Sequence, residues 1–238
     1  MFTRPHRQRI AKVLESLDTD LLKRHNCLFA GGTAIALGYG EYRESVDIDF
    51  LVSDLASYRY LRNSVLEQGL QALMRGAGAD QLQTADIRSD QCGIRTKVFV
   101  QGRSIKFEIV LEGRIGLAKP GKKDSILGVA TLTKLDMAAS KLLANSDRGL
   151  DVGVHCRDVI DLAMLNLSKS EFTAATTKAE AAYGEAILKD LAKVIDMLGE
   201  ANGLLERCMK AMAVSVPRAL LWQNISKVKS YIANGIPN

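Results

Sequence analysis

The stretch Phe29-Ala-Gly-Gly-Thr-Ala-Ile-Ala-Leu-Gly-Tyr-Gly-Glu-Tyr-Arg-Glu-Ser-Val-Asp-Ile-Asp-Phe50 sets a glycine pair and an alternating pair of aspartates within one short unit. The apolar run Cys27-Leu-Phe-Ala30 predicts a short buried strand, Gly31-Gly32 a tight turn, and Thr33 to Leu37 the start of a helix. Glycines lack a Cβ, so main-chain N–H groups can approach an anion closely, and a helix N-terminus adds favourable partial charge. A phosphate fits such a turn. Further on, Val46-Asp-Ile-Asp-Phe-Leu-Val52 alternates with period two, which predicts a strand with Val46, Ile48, Phe50 and Val52 on one face and Asp47 and Asp49 on the other. Two carboxylates on one face repel. A divalent cation that takes oxygen ligands, Mg²⁺ (or Mn²⁺), relieves the repulsion and bridges such carboxylates to nucleotide phosphates. Each half alone also has an ordinary reading, Gly-Gly as a plain turn and Asp-x-Asp as the solvent face of an edge strand; their order and proximity point to a metal-dependent phosphate site.

Around this unit the chain reads as globular. Its 238 residues are 47% hydrophobic and 25% charged, enough for one large domain or two small ones with a real core. A net charge of +5 allows a nucleotide or nucleic-acid partner without requiring one. Cys27, Cys92, Cys156 and Cys208 are scattered and form no C-x-x-C pair, which suggests neither a zinc site nor a disulfide framework, and reduced thiols imply a cytoplasmic setting. No apolar run approaches the ~20 residues of a membrane helix, and the stretch holding Arg4, Arg7, Arg9 and Lys12 lacks the apolar core of a secretory signal.

Helical spacing of Ile10, Val13, Leu14 and Leu17, continued by Leu21 and Leu22, predicts one amphipathic helix or two short ones over residues 5–24. His6 and His25 have no nearby ligand partners and are assigned surface or capping roles. A broad apolar stripe, Leu55, Tyr58, Leu61, Val65, Leu66, Leu70, Leu73 and Met74, predicts a core helix over 55–75 that ends near Gly76-Ala-Gly78. Ile94 to Val100 and Ser104 to Leu111 read as a hairpin turning at Gln101-Gly102-Arg103, with Glu108 opposite the apolar face of Ile105, Phe107 and Ile109. Lys119-Pro-Gly-Lys-Lys-Asp124 is a basic loop, either solvated or touching RNA phosphates. Thr133-x-x-Asp136 reads as a capping box opening a helix on which Lys134, Lys141 and Arg148, seven apart, share a face. A loop containing His155, expected to be structural, leads into a further helix with Asp158 and Asp161 in its first turn; taken alone, Lys141 and Arg148 would form surface ion pairs with one of these acids. Beyond Leu167, glycines and Pro217 separate four helices, Glu171–Ala182, Ala186–Leu198, Leu204–Val214 and Ala219–Ile232, so the composition divides the chain into domains 1–168 and 169–238.

Gly31-Gly32-Thr33 followed by Ser45-Val-Asp47-Ile-Asp49-Phe50 resembles the signature of the DNA polymerase β-like nucleotidyltransferase superfamily, and specifically its AbiEii/AbiGii toxin class. Lys141-Leu-Leu-Ala-Asn-Ser-Asp-Arg148 and Arg157-Asp158-Val-Ile-Asp161-Leu162 resemble the K-L-x-A-x-x-x-R and R-D-x-x-D-L motifs of that class, in order and spacing. The resemblance covers residues ~27 to ~165, and the series is more specific than any one of its motifs.

The resemblance implies an α/β (α+β) nucleotidyltransferase fold, a short mixed sheet flanked by helices, with a C-terminal helical bundle. It implies transfer of a nucleoside monophosphate from an NTP to an acceptor hydroxyl, with Asp47 and Asp49 holding Mg²⁺ and Gly31, Gly32, Thr33 and Ser45 seating the triphosphate. Lys141 would contact the phosphates, Asp158 would order Lys141 or take the acceptor proton, and Arg148 and Arg157 count with the nucleotide-binding residues; Asp161 remains the alternative to Asp158. Glu108 is either the third acidic group the superfamily places across from its Asp pair or a solvent-facing residue paired with a lysine across the hairpin. The acceptor implied is the 3′ end of a tRNA, and the partner a cognate antitoxin. Small-molecule nucleotidylation, which needs a closed acceptor pocket, and a non-catalytic binding module are the alternatives.

Overall fold

The computed structural model describes residues 4–75, 82–154, 156–200 and 203–233; the expected helix end at Gly76-Ala-Gly78 and His155 lie outside the described residues. The chain's contacts divide it into two compact units, residues 1–34 with 46–133 and residues 35–45 with 134–238. This division by contacts is distinct from the division by composition at residue 168. Each unit takes in two separate lengths of chain.

The first unit opens with two helices, α1 (Pro5–Ser16) and α2 (Thr19–Arg24), broken where the Asp18 side chain caps α2 by accepting from the Leu21 N–H. His25 closes α2 as its C-cap and stacks on Tyr60, ring centroids 4.2 Å apart. Next come β1 (Leu28–Ala30), the first turn of helix α3 (Gly31–Gly38), whose residues from Ile35 on count with the second unit, β2 (Ile48–Val52) and α4 (Leu55–Gln68), which passes into a 3₁₀ turn at Gly69–Leu73. Strands β3 (Gln83–Thr84), β4 (Arg88–Ser89), β5 (Gly93–Val100) and β6 (Arg103–Leu111) complete a sheet of order β1-β2-β6-β5-β3, with β4 beside β5. The sheet is mixed, since β2 runs parallel to β6 and the other pairs are antiparallel. Gln101 and Gly102, both at positive φ, turn the β5–β6 hairpin, as a two-residue connection matching the strand twist requires. A small hairpin of β7 (Ser125–Ile126) and β8 (Val129–Ala130) follows the basic loop, whose Lys119, Lys122 and Lys123 are exposed.

Alternation sets the core of this unit. Ile48, Phe50, Val52, Ile105, Phe107 and Ile109 are buried, and the rings of Phe29, Phe50 and Phe107 follow one another across three strands at 5.6 Å. Two expectations need correction. Val46 is 47% exposed because β2 begins only at Ile48, and on α4 Leu55 and Leu66 are also exposed, whereas Tyr58, Leu61 and Val65 are buried. A stripe that broad exceeds the arc one helix can bury against a sheet.

The second unit is helical: α5 (Lys134–Arg148), a 3₁₀ turn at Val152–Val154, α6 (Arg157–Met164), α7 (Lys169–Tyr183), α8 (Ala186–Gly199), α9 (Leu204–Ala211) and α10 (Arg218–Ala233). Helix α5 packs on α6, α7 and α8, and α10 packs on α6. Ser168 and Glu171 form a capping box at the start of α7. Leu221, Ile225, Val228 and Ile232 give α10 its buried stripe. Among the described residues no helix is long and apolar enough to cross a membrane.

Candidate active site

The acidic site of the first unit is built where β1 gives way to α3. Gly31 has φ +72°, and a Cβ there would stand 2.5 Å from Asp49 Oδ2. Only glycine satisfies both conditions. The turn therefore brings the Asp49 carboxylate against the N-terminal end of α3, whose first turn holds no acidic residue of its own. Asp49 lies half-buried on β2, Asp47 half-buried one residue ahead of that strand, and Thr33 is buried in α3.

The parallel pairing of β2 with β6 sets Asp49 in register with Glu108, so both carboxylates stand on the same face of neighbouring strands. That is the arrangement on which a third acidic role for Glu108 depended. Its carboxylate is also engaged: Lys106 Nζ lies 2.7 Å away on the same strand and Arg95 Nε 3.3 Å away at the cross-strand position. Among the described residues, no three His, Cys, Asp or Glu side chains gather into a cluster that could hold a metal ion. The residues nonetheless fit Mg²⁺ as that ion is ordinarily bound, by one or two carboxylates with water and substrate phosphates filling the shell. A phosphate at the Gly31 turn and the Asp49 carboxylate would be like charges at one helix end, a repulsion that a divalent cation would relieve.

The second unit holds the other motif residues in a closed charge cluster. Lys141, on α5, donates to Asp158 Oδ1 at 2.9 Å and to Asp161 Oδ2 at 2.7 Å, both on α6. Arg148, about two turns further along the same face of α5, grips Asp158 through Nε at 2.8 Å and Nη2 at 3.1 Å. These are not surface pairs: side-chain exposure is 5% for Lys141, 3% for Asp158 and 0% for Asp161, and only Arg148 reaches water, at 39%. The cationic face expected of α5 is accordingly divided, since Lys134 pairs instead with Glu171. Asp136, fully buried, pairs with Lys178.

Two residues of the cluster went unnoticed in the sequence. Arg43 forks onto Asp161 through Nε at 2.6 Å and Nη2 at 2.8 Å, and Tyr42 donates its hydroxyl to the same carboxylate at 2.5 Å. Nothing local marks them, since a Tyr-Arg pair flanked by Glu41 and Glu44 looks like any solvated stretch. Burial works to raise the Asp158 carboxyl, but the Lys141 charge and the Arg148 hydrogen bonds overcome it and hold the group well below the usual carboxylate range. Asp161 shows the same balance, burial opposed by Lys141 and Arg43, with the same downward outcome. Burial and the Asp161 charge push the Tyr42 phenol well up. Arg157, half-buried at the start of α6, makes no ion pair among the described residues; Ser45 is half-buried.

The cysteines are free, yet Cys156 and Cys208 meet across 52 positions of sequence that hid their proximity, lining a cavity of about 180 Å³ with Leu150, Met197 and Leu204. The hydrogen bond that Cys156 donates to Cys208, with burial, pushes the Cys156 thiol up.

A family model described as "Nucleotidyl transferase AbiEii toxin, Type IV TA system" matches residues 12–222. Among solved structures, JHP933 from Helicobacter pylori is 18% identical with a TM-score of 0.56, over 98% of this chain and 96% of that one. A second H. pylori structure, described as a candidate nucleotidyltransferase, is also 18% identical, with a TM-score of 0.50 over 98% and 97% of the two chains. At that identity the likeness is one of fold. No curated protein matches the chain.

Proposed function

Because the chain belongs to the AbiEii family of nucleotidyl transferase toxins of type IV toxin–antitoxin systems, we propose that it moves a nucleoside monophosphate from an NTP to a hydroxyl at the 3′ end of a tRNA. In this reaction the acceptor oxygen forms a bond to the α-phosphorus, the bond from that phosphorus to the bridging oxygen breaks, pyrophosphate leaves and the hydroxyl proton goes to a base. The observation that carries the reading is the apposition of Gly31 and Asp49, a side-chain-free turn opening a helix beside a carboxylate.

Gly31 and Gly32 offer main-chain N–H groups to the triphosphate, with Thr33 and Ser45 as further donors. Asp47 and Asp49 are the carboxylates that would hold Mg²⁺, which when bound supplies charge neutralisation on the transferring phosphate. Glu108, in register with Asp49, is the candidate third acid, provided that Lys106 and Arg95 release it. Lys141, Arg148 and Arg157 are assigned to the triphosphate as cations. Asp158 suits the ordering of Lys141 better than proton abstraction, since a carboxyl held well below its usual range is a weak base at neutral pH. The net charge of +5 and the exposed lysines of the 119–123 loop support an RNA acceptor.

The test is incubation of the protein and its Asp47→Ala/Asp49→Ala variant with Mg²⁺, each labelled NTP in turn and total tRNA, followed by a gel for label on RNA. Label made by the wild type and lost in the variant is expected, and it names the base. Mg²⁺-dependent NTP binding without label on any RNA would remove tRNA as the acceptor.

A further inference from the structure

Asp158 and Asp161 look equivalent in the motif, but their surroundings differ. A carboxylate has about four acceptor positions on its two oxygens. Asp161 uses all four: Oδ1 accepts from Tyr42 Oη and Arg43 Nε, Oδ2 from Arg43 Nη2 and Lys141 Nζ, with no exposure to solvent. It has nothing left for a substrate or a cation. Asp158 takes three bonds, two on Oδ1 and one on Oδ2, from Lys141 and the half-exposed Arg148. Lys141 in turn gives one N–H to each acid, and its ammonium, which carries three donors, has among the described residues no third acceptor in the cluster.

The Tyr42–Arg43 segment is itself tied down. The Tyr42 carbonyl accepts from the Ser215 N–H at 2.8 Å and the Ser215 hydroxyl at 3.2 Å, the Glu44 N–H donates to the Met212 carbonyl at 2.8 Å, and Arg43 Nη1 donates to the Glu44 carbonyl at 2.8 Å. A bidentate guanidinium on a fastened backbone is a rigid support, and it leaves Asp161 one orientation. We propose that Tyr42 and Arg43 are positioning residues that act through Asp161 to fix the Lys141 ammonium for phosphate binding, and that Asp158 with the half-exposed Arg148 forms the side of the cluster that an anion can reach. The proposal rests on the nucleotidyltransferase reading of Lys141.

The experiment is a set of double-mutant cycles read by Mg²⁺–NTP binding and by label transfer. Tyr42→Phe removes one hydroxyl, Arg43→Lys keeps the charge but loses the fork, and Asp136→Asn serves as a control at an equally buried carboxylate, paired with Lys178, outside the cluster. Each is made alone and in a Lys141→Met background, where Asp158 and Asp161 each retain an arginine. In the wild-type background, Tyr42→Phe and Arg43→Lys are expected to weaken NTP binding or transfer about tenfold, a loss of about 1.4 kcal/mol, with Asp136→Asn within twofold per folded molecule. In the Lys141→Met background the same changes are expected to cost less than twofold, because a support acts only through what it supports. Equal losses in both backgrounds, or losses no larger than that of Asp136→Asn, would overturn the proposal. Wild-type binding without transfer would remove the proposed reaction while leaving the cycle readable, and a wild type that binds no NTP would remove both.

Discussion

The sheet face of the first unit and the helix cluster of the second both gather acids and bases, and they treat them in opposite ways. On β2, β5 and β6, Asp49, Glu108, Arg95 and Lys106 stand half-buried or exposed on one side of the sheet, where water shares the work of stabilising each charge. On α5 and α6, Lys141, Asp158 and Asp161 have lost nearly all their water and depend on one another. The contrast shows that a motif's carboxylates can differ in kind: those on an open sheet face share their charge with water, while one locked in a helix interior spends its acceptor positions on the fold.

The sharpest way to break this comparison is to delete one acid from each region. Asp161→Ala should destabilise the protein by about 3–5 kcal/mol, since Arg43 and Tyr42 would be left buried without their partner. Thermal or urea unfolding reads it, and a loss under 1 kcal/mol would mean that the cluster is far wetter than its exposure indicates. A titration comes next. Asp158 and Asp161 have carboxyls held below their unfolded value, so their contribution is fully present above the unfolded value and drains away as pH falls through it toward the folded one. The unfolding midpoint should therefore drop as pH is lowered from about 5 toward 2, and Asp158→Asn should flatten that limb. Glu108→Gln is the smallest effect: with partners 39% and 49% exposed, the change in unfolding stability should fall below about 1 kcal/mol. A larger loss would put the sheet face in the same class as the cluster.

What the amino-acid order disclosed is whatever repeats or turns locally. The Gly31 turn, the alternation that buries Ile48 and Phe50, the hairpin at Gln101-Gly102 and the spacing of Leu221, Ile225, Val228 and Ile232 all depend on residues within a few positions of one another. The parallel union of β2 with β6 joins segments some 60 positions apart, and it surfaced only as a condition on Glu108. Tyr42 and Arg43 left no trace at all, because their partner lies 119 and 118 positions away and a buried arginine looks the same in a sequence as a solvated one. Lys141 and Arg148 were read with the right acids but at the wrong depth, since periodicity reports which residues share a face and not how deeply that face is buried.

The 118 positions between Arg43 and Asp161 also measure time. At the usual ~5–20 residues per second of synthesis, roughly 6–24 seconds pass between the emergence of Arg43 and that of the carboxylate it will hold. During that interval the Tyr42–Arg43 segment has no site to settle into, and Ser215, which fastens its carbonyl, comes later still. The cluster around Lys141 therefore cannot close until α6 has been made, and a chain that ends before α6 has Arg43 and Lys141 without either of their carboxylates.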